Sequence, residues 1–103
     1  MLNLQSYREH PGLSQETAAF TASIFDGDEK ICEVSNDGWG GPNRYFPHTA
    51  EERLVAAGRE AGRLREELQR QANEYGYEVD DLLKDGDIVV FALLVIAEEE
   101  DAL

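Results

Sequence analysis

The chain is poor in cysteine, proline and basic residues, and it contains no long hydrophobic run. Cys32 is the only cysteine among 103 residues, which excludes an internal disulfide and any zinc site built from several cysteines. The longest apolar segment, 88–97, has ten residues, half of the roughly 20 that a membrane-spanning helix needs. The N-terminus also lacks the basic and apolar regions of a signal peptide. We therefore expect a cytoplasmic protein that does not bind a membrane.

Basic residues are strongly outnumbered, with nine Lys and Arg against 22 Asp and Glu and a net charge of −13. Such a surface repels the phosphate backbone, so we expect no direct binding to nucleic acid. Hydrophobic residues make up 42% of the chain, too many for a disordered protein. The length suits a single domain over 1–103, β-rich in 1–48 and helical in 49–103.

Three segments of the N-terminal half have the patterns of β-strands. Residues 2–8 begin with alternating apolar and polar side chains, and 18–25 and 30–35 are rich in aromatic and β-branched residues. The last two segments are joined by Asp26-Gly27-Asp28-Glu29, a sequence typical of a hairpin turn. These patterns predict a small antiparallel sheet of three strands, followed by a loop over 36–48.

The C-terminal half begins with a stripe of apolar residues at helical spacing. The stripe consists of Leu54, Ala57, Ala61, Leu64, Leu68 and Tyr75. It predicts one long amphipathic helix over 50–75. Thr49 and Glu52 have the spacing of a capping box at its start, and Gly76 is placed to end it.

The apolar run 88–97 suits either a buried strand or a buried helix. Its β-branched residues favour the strand, whereas its length and the N-cap candidate Asp87 favour the helix. We choose the helix. The predicted fold class is therefore α+β, a three-stranded antiparallel sheet packed against the long helix and a hydrophobic C-terminal helix.

Few residues of this chain suggest catalysis. Cys32 lies in the middle of a predicted strand, where a small core residue is expected rather than a nucleophile. His10 and His48 are the only histidines, and they do not have metal-ligand spacing with each other or with the acids. Phosphate-binding glycine motifs are absent as well. We predict a protein that is not an enzyme and has no metal and no cofactor.

The loop after the hairpin has the composition of a binding site. Its candidate binding residues are Asn36, Asp37, Gly38, Trp39, Gly40, Gly41, Asn43, Arg44 and Tyr45. Trp, Tyr and Arg are enriched at the centres of protein interfaces, which favours a protein partner. Two alternatives remain open: the aromatic residues fold inward and close the end of the small core, or the loop N–H groups hold an anion.

The acidic residues concentrate at the C-terminal end of the sequence. Residues 78–103 contain nine acids and one base, and the last cluster consists of Glu98, Glu99, Glu100 and Asp101. A charged segment of this kind often serves solubility alone. The alternative interpretation is a docking surface for a basic partner, or one that imitates DNA. We include the last cluster among the candidate binding residues.

Residues 18–46 resemble small proteins of phages and bacterial mobile elements. The resemblance rests on a hairpin followed by Ser35-Asn36-Asp37-Gly38-Trp39-Gly40-Gly41, an SNDGxGG loop. That family has no established activity, so the resemblance implies a phage or mobile-element context and no mechanism. Its members carry a basic tail after the last helix, where this chain has acidic residues.

Together these features predict a non-catalytic interaction protein, encoded by a phage, that binds and inhibits a host or defence protein in the host cytoplasm. The alternative is a protein that binds a small anionic ligand or nucleotide at 36–46, with Arg44 as the counter-charge. The long apolar stripe and the run 88–97 are more than a domain of this size can cover, so a homodimer or larger assembly is also predicted.

Overall fold

The computed structural model describes residues 1–10 and 19–100, and these form four strands followed by four helices. The strands are β1 (Leu2–Glu9), β2 (Phe20–Asp26), β3 (Glu29–Asn36) and β4 (Arg44–Phe46). The helices are α1 (Ala50–Gly58), α2 (Arg63–Tyr75), α3 (Val79–Leu82) and α4 (Gly86–Glu99). The predicted α+β class is confirmed.

The sheet is antiparallel with the strand order β1-β2-β3-β4. The predicted hairpin is confirmed, and Gly27 at its turn has φ 61°, a conformation that glycine adopts without strain. The sheet has four strands rather than three, because residues 44–46 of the predicted loop pair with β3. Pro47 follows β4 at once, and its missing N–H helps to keep this strand short.

The two faces of the sheet differ in polarity. Leu4, Ala22, Ile24 and Val34 are buried on the inner face, where they share one hydrophobic core with residues of α1, α2, α3 and α4. The outer face carries mainly polar side chains, and no helix of the described chain buries it. The sheet and the helices thus form two layers.

The helix predicted over 50–75 is two helices, which corrects that prediction. α1 ends at Gly58 and α2 begins at Arg63, after Gly62 with φ 145° and ψ −171°. These angles are far from helical, so the chain changes direction there and both helices can pack on the sheet. The capping box is also wrong, because the Thr49 side chain makes no capping hydrogen bond. Gly76 ends α2 with φ 76°, as predicted.

The apolar run 88–97 lies within α4, and the choice of a helix is confirmed. Asp85 is the N-cap rather than Asp87, since its side chain accepts a hydrogen bond from the backbone N–H of Asp87. α4 contacts β1, α1 and α2, which explains why it is apolar on nearly all sides. Among residues 1–10 and 19–100, no helix combines the length and the apolar character needed to cross a membrane.

Candidate functional site

The loop between β3 and β4 folds around the side chain of Asn36. The Asn36 amide nitrogen donates to the carbonyl of Gly41 at 3.1 Å and to the side-chain oxygen of Asn43 at 3.0 Å. The Asn36 side-chain oxygen accepts from the backbone N–H of Gly38 at 2.8 Å. Gly38 and Gly40 both have φ 83°, which permits this tight path. Asn36 therefore holds the loop in one conformation.

The side chain of Asp37 holds the tip of the loop by contacts with Trp39 and Arg44. Its carboxylate accepts a hydrogen bond from the backbone N–H of Trp39 at 3.1 Å, and its second oxygen lies 3.5 Å from a guanidinium nitrogen of Arg44. The N–H groups of Gly38 and Trp39 are thus already bonded to side chains of the loop itself. An anion bound at the tip would have to displace them, so the geometry gives little support to the loop as an anion site.

The base of the loop is fastened to α4 through Asp87. The Tyr45 hydroxyl and the backbone N–H of Asn43 donate hydrogen bonds to the two oxygens of this carboxylate. Burial, followed by the hydrogen bond to Asp87, raises the pKa of Tyr45 well above its ordinary value. Tyr45 therefore serves as a neutral donor that ties the sheet to the helical layer.

Two aromatic side chains of this region are exposed, one in the loop and one next to Tyr45 on β4. Trp39 is 65% exposed and Phe46 is 79% exposed, so neither closes the end of the core. Arg44 lies two residues before Phe46 on the same face of β4, and Asp37 links it to the backbone of Trp39. We call Trp39, Arg44 and Phe46 the aromatic patch. Tyr45 points to the opposite face of β4, where it is half-buried.

Three carboxylates gather at the start of α4. Oxygens of Glu51, Asp85 and Asp87 all lie within 4.8 Å of one another, the spacing of ligands around a cation. Hydrogen bonds account for this arrangement: the N–H of Gly86 donates to Glu51 at 3.1 Å, and the N–H of Asp87 donates to Asp85 at 2.9 Å. Asp87 in turn accepts from Asn43 and Tyr45, as described above. The cluster is thus explained by capping.

The acidic end of α4 is partly neutralised. Arg63 of α2 lies 2.7 Å from an oxygen of Glu99 and 3.1 Å from an oxygen of Glu100. Glu98 is exposed. Burial, followed by the charges of Glu9 and then Glu98, raises the pKa of Tyr7. The fourth predicted residue, Asp101, lies outside the described residues, as does residue 18 of the predicted second strand. Glu99 and Glu100 are therefore less free for a basic partner than their sequence indicates.

The structure does not bring the two predicted regions together. Asp87, which anchors the loop, is in the first turn of α4, and Glu99 is its last residue. Glu99 is twelve positions after Asp87 in the same helix, which is about 18 Å along the axis. The loop and the acidic cluster are therefore separate candidate surfaces.

A groove on the outer face of the sheet is lined partly by residues that are not among the predicted binding residues. It has a volume of about 730 Å³, and Arg8, Thr21 and Ser35 line it together with Arg44 and Phe46. The alternation of β2 and β3 is a signal that could have placed Thr21 and Ser35 on this face. Arg8 could not have been placed in this way, because the register of β1 shifts between Gln5 and Arg8.

Cys32 is confirmed as a core residue rather than an exposed nucleophile. It is 2% exposed on β3, opposite Ile24 of β2. Burial raises the pKa of its thiol, which disfavours the reactive thiolate.

Comparisons of the chain with protein-family models, with curated proteins and with solved structures find no match. The resemblance of residues 18–46 to phage and mobile-element proteins therefore stays a prediction.

Proposed function

We propose that this chain is a non-catalytic binding protein that holds a protein partner at the aromatic patch. One observation carries the proposal: Trp39 and Phe46 are both largely exposed, although a domain of this size gains most by burying its aromatic residues. Arg44 is on the same strand face as Phe46 and is linked through Asp37 to the backbone of Trp39. Arginine and the aromatic residues are enriched at the centres of protein interfaces.

The anchoring of the patch supports the same function. Asn36 closes the loop that carries Trp39, and Tyr45, next to both Arg44 and Phe46, is bonded to Asp87. A surface that is already ordered loses less conformational entropy when it binds, so more of the contact energy appears as affinity.

The partner that we propose is a host or defence protein, which the binding inhibits. The resemblance of residues 18–46 supports a phage-encoded protein that acts in the host cytoplasm. DNA mimicry through Glu98, Glu99 and Glu100 is the weaker alternative, because Arg63 pairs with two of these three carboxylates. The net charge of −13 still favours a partner with a basic surface around the contact.

The test is affinity capture from host lysate, followed by binding measurements with the purified partner. We expect the double variant Trp39→Ala, Phe46→Ala to lose binding about 1,000-fold, since two central aromatic residues each contribute about 2 kcal/mol or more. The matched control is Tyr75→Ala, which removes an aromatic side chain that is 63% exposed at the end of α2. It should bind as the wild type does.

A second variant separates the two candidate surfaces. Glu98→Gln, Glu99→Gln and Glu100→Gln together should leave the affinity at high salt unchanged and only slow association at low salt. If this triple variant abolishes binding while the aromatic double variant binds normally, the partner docks on the acidic end and the proposal is wrong.

A further inference from the structure

Four side chains form a row across the outer face of the sheet. Arg8 of β1 is opposite Thr21 of β2, Thr21 is opposite Ser35 of β3, and Ser35 is opposite Arg44 of β4. Residues opposite each other in antiparallel strands point to the same side, and all four line the outer groove. The row thus has a guanidinium at each end and two hydroxyls between, and it spans about 14 Å.

A bulge in β1 puts Arg8 into this row. Strict alternation from Leu2 and Leu4 would turn residues 6 and 8 inward, but Ser6 has φ 55° and the register shifts before Arg8. As a result Tyr7 packs on Phe20 and Arg8 faces outward. A positive φ costs a non-glycine residue free energy, and bulges commonly re-aim side chains at functional sites.

Two arginines and one acid are among the described residues that line the groove, so its local charge is positive although the chain as a whole is acidic. No acid among residues 1–10 and 19–100 comes within 4.0 Å of the Arg8 guanidinium in an ion pair. Glu33 is the one acid among the described residues that line the groove, and Lys30 pairs with it at 2.8 Å. Arg44 lies 3.5 Å from an oxygen of Asp37.

An aromatic ring lies beside the row. Phe46 is two residues after Arg44, opposite Glu33, so its ring lies on the same face about 7 Å along the strand. The groove volume, about 730 Å³, falls within the range of small-molecule sites.

We propose that this row is a binding site for a small phosphomonoester that carries a planar ring, the chemical class of the mononucleotides. The phosphate lies over Thr21 and Ser35, whose hydroxyls donate to it, and the two arginines approach it from the ends of the row. The ring packs against Phe46. Guanidinium and hydroxyl groups are the usual donors to phosphate, and a dianion gains most from two arginines. This site shares Arg44 and Phe46 with the aromatic patch, whereas Arg8, Thr21 and Ser35 belong to the row alone, so variants of these three residues test it separately from the proposed protein partner.

The test is a titration of the ¹⁵N-labelled protein with phenyl phosphate and with inorganic phosphate, at constant ionic strength and followed by NMR. We expect saturable shifts at the amides of Arg8, Thr21 and Ser35, and tighter binding of phenyl phosphate than of inorganic phosphate. Arg8→Gln should weaken phenyl phosphate binding about tenfold, the effect of one lost charge-assisted hydrogen bond. Phe46→Ala should remove the advantage of the ring and leave the affinity for inorganic phosphate unchanged.

Two further variants keep the test decisive. Lys84→Gln changes the net charge as Arg8→Gln does, at an exposed position before α4, and should bind as the wild type does. Thr21→Val removes a hydroxyl at nearly constant volume, and should weaken binding in a folded protein even if Arg8→Gln does not fold. The proposal is overturned if the shifts do not saturate, if they lie outside the row, or if Arg8→Gln and Lys84→Gln weaken binding equally.

Discussion

The Tyr45 hydroxyl on β4 donates a hydrogen bond to the carboxylate of Asp87 in the first turn of α4. β4 is the shortest strand and lies at the edge of the sheet, so it has few ladder hydrogen bonds of its own. The contact with Asp87 therefore fixes the position of Arg44 and Phe46 on either side of Tyr45, and with them the aromatic patch.

Tyr45→Phe tests this anchor directly. The substitution removes a hydrogen bond to a charged group in a half-buried place and leaves the ring in the core, so we expect the free energy of unfolding to fall by about 1.5–3 kcal/mol. Urea denaturation at neutral pH measures it. Tyr75→Phe removes an exposed hydroxyl and should change stability by less than about 0.5 kcal/mol. Equal effects of the two substitutions would contradict the assigned role.

The raised pKa of Tyr45 predicts a loss of stability at alkaline pH. The folded state binds the phenolic proton more tightly than the unfolded state does, so the full contribution of Tyr45 is present below the unfolded pKa of about 10. It is lost progressively as pH rises above that value. The stability difference between the wild type and Tyr45→Phe should therefore shrink between pH 9 and pH 11. A difference that stays constant over this interval would show that Tyr45 ionises equally easily in both states.

The parts of the fold that follow from local pattern were predictable from the sequence. In the hairpin, apolar and polar residues alternate along both strands, and a turn with a glycine joins them directly. In α4, the apolar run is long enough to suit a buried helix. β4 was not predictable in this way, because three residues between glycines and a proline carry no periodic signal, and their pairing with β3 is a tertiary contact. The break between α1 and α2 at Gly62 was not predictable either, because the apolar residues keep helical spacing on both sides of it.

The candidate site was predictable in composition but not in arrangement. The sequence identified Trp39 and Arg44, yet it could not decide whether the aromatic residues point inward, since that depends on which face of β4 each one occupies. Tyr45 turns in and Phe46 turns out. The pairing of Arg63 with Glu99 was equally hidden, because 36 residues separate them.

Ser6→Val tests the bulge that orients Arg8. A β-branched residue is strongly disfavoured at positive φ, so we expect a loss of about 1–2 kcal/mol in the free energy of unfolding. Ser23→Val is the matched control, because Ser23 is in the regular part of β2, opposite Gln5 and Glu33, where valine suits a strand. Urea denaturation of both variants gives the comparison. If Ser23→Val is the more destabilising of the two, the conformation of Ser6 is not the cause.

Gly58→Ala tests the close packing of α1 against the later helices. A Cβ at this position would lie 2.7 Å from the Leu83 Cδ2 atom and 3.2 Å from the Leu68 Cδ1 atom, both in the core. Overpacking of this kind costs about 1–3 kcal/mol, more than the ~1 kcal/mol that alanine gains over glycine within a helix. We therefore expect a lower melting temperature. Gly41→Ala, which has open space around it, should melt close to the wild type, and a stabilised Gly58→Ala would contradict this packing.

The structure exposes less apolar surface for the predicted homodimer than the sequence indicates. Leu54, Leu64 and Leu68 of the apolar stripe are buried within one chain, so they need no second copy. Phe91 of α4 is 53% exposed in the described structure, and Ile88 next to it on the same helix face is only half-buried. If two copies associate, this face of α4 is the exposed apolar surface that the helical layer offers near the predicted run 88–97.

Sedimentation at micromolar concentration tests this prediction. We expect the wild type to sediment as a species heavier than 11.5 kDa, and Phe91→Ser to sediment at 11.5 kDa because the centre of the interface is lost. Serine and phenylalanine have similar helix propensities, so the substitution should not unfold α4 by itself. Tyr77→Ser removes a similarly exposed ring after α2 and should leave the wild-type mass unchanged. A wild type that sediments at 11.5 kDa would show that Phe91 stays exposed on a monomer, and the homodimer would then be wrong.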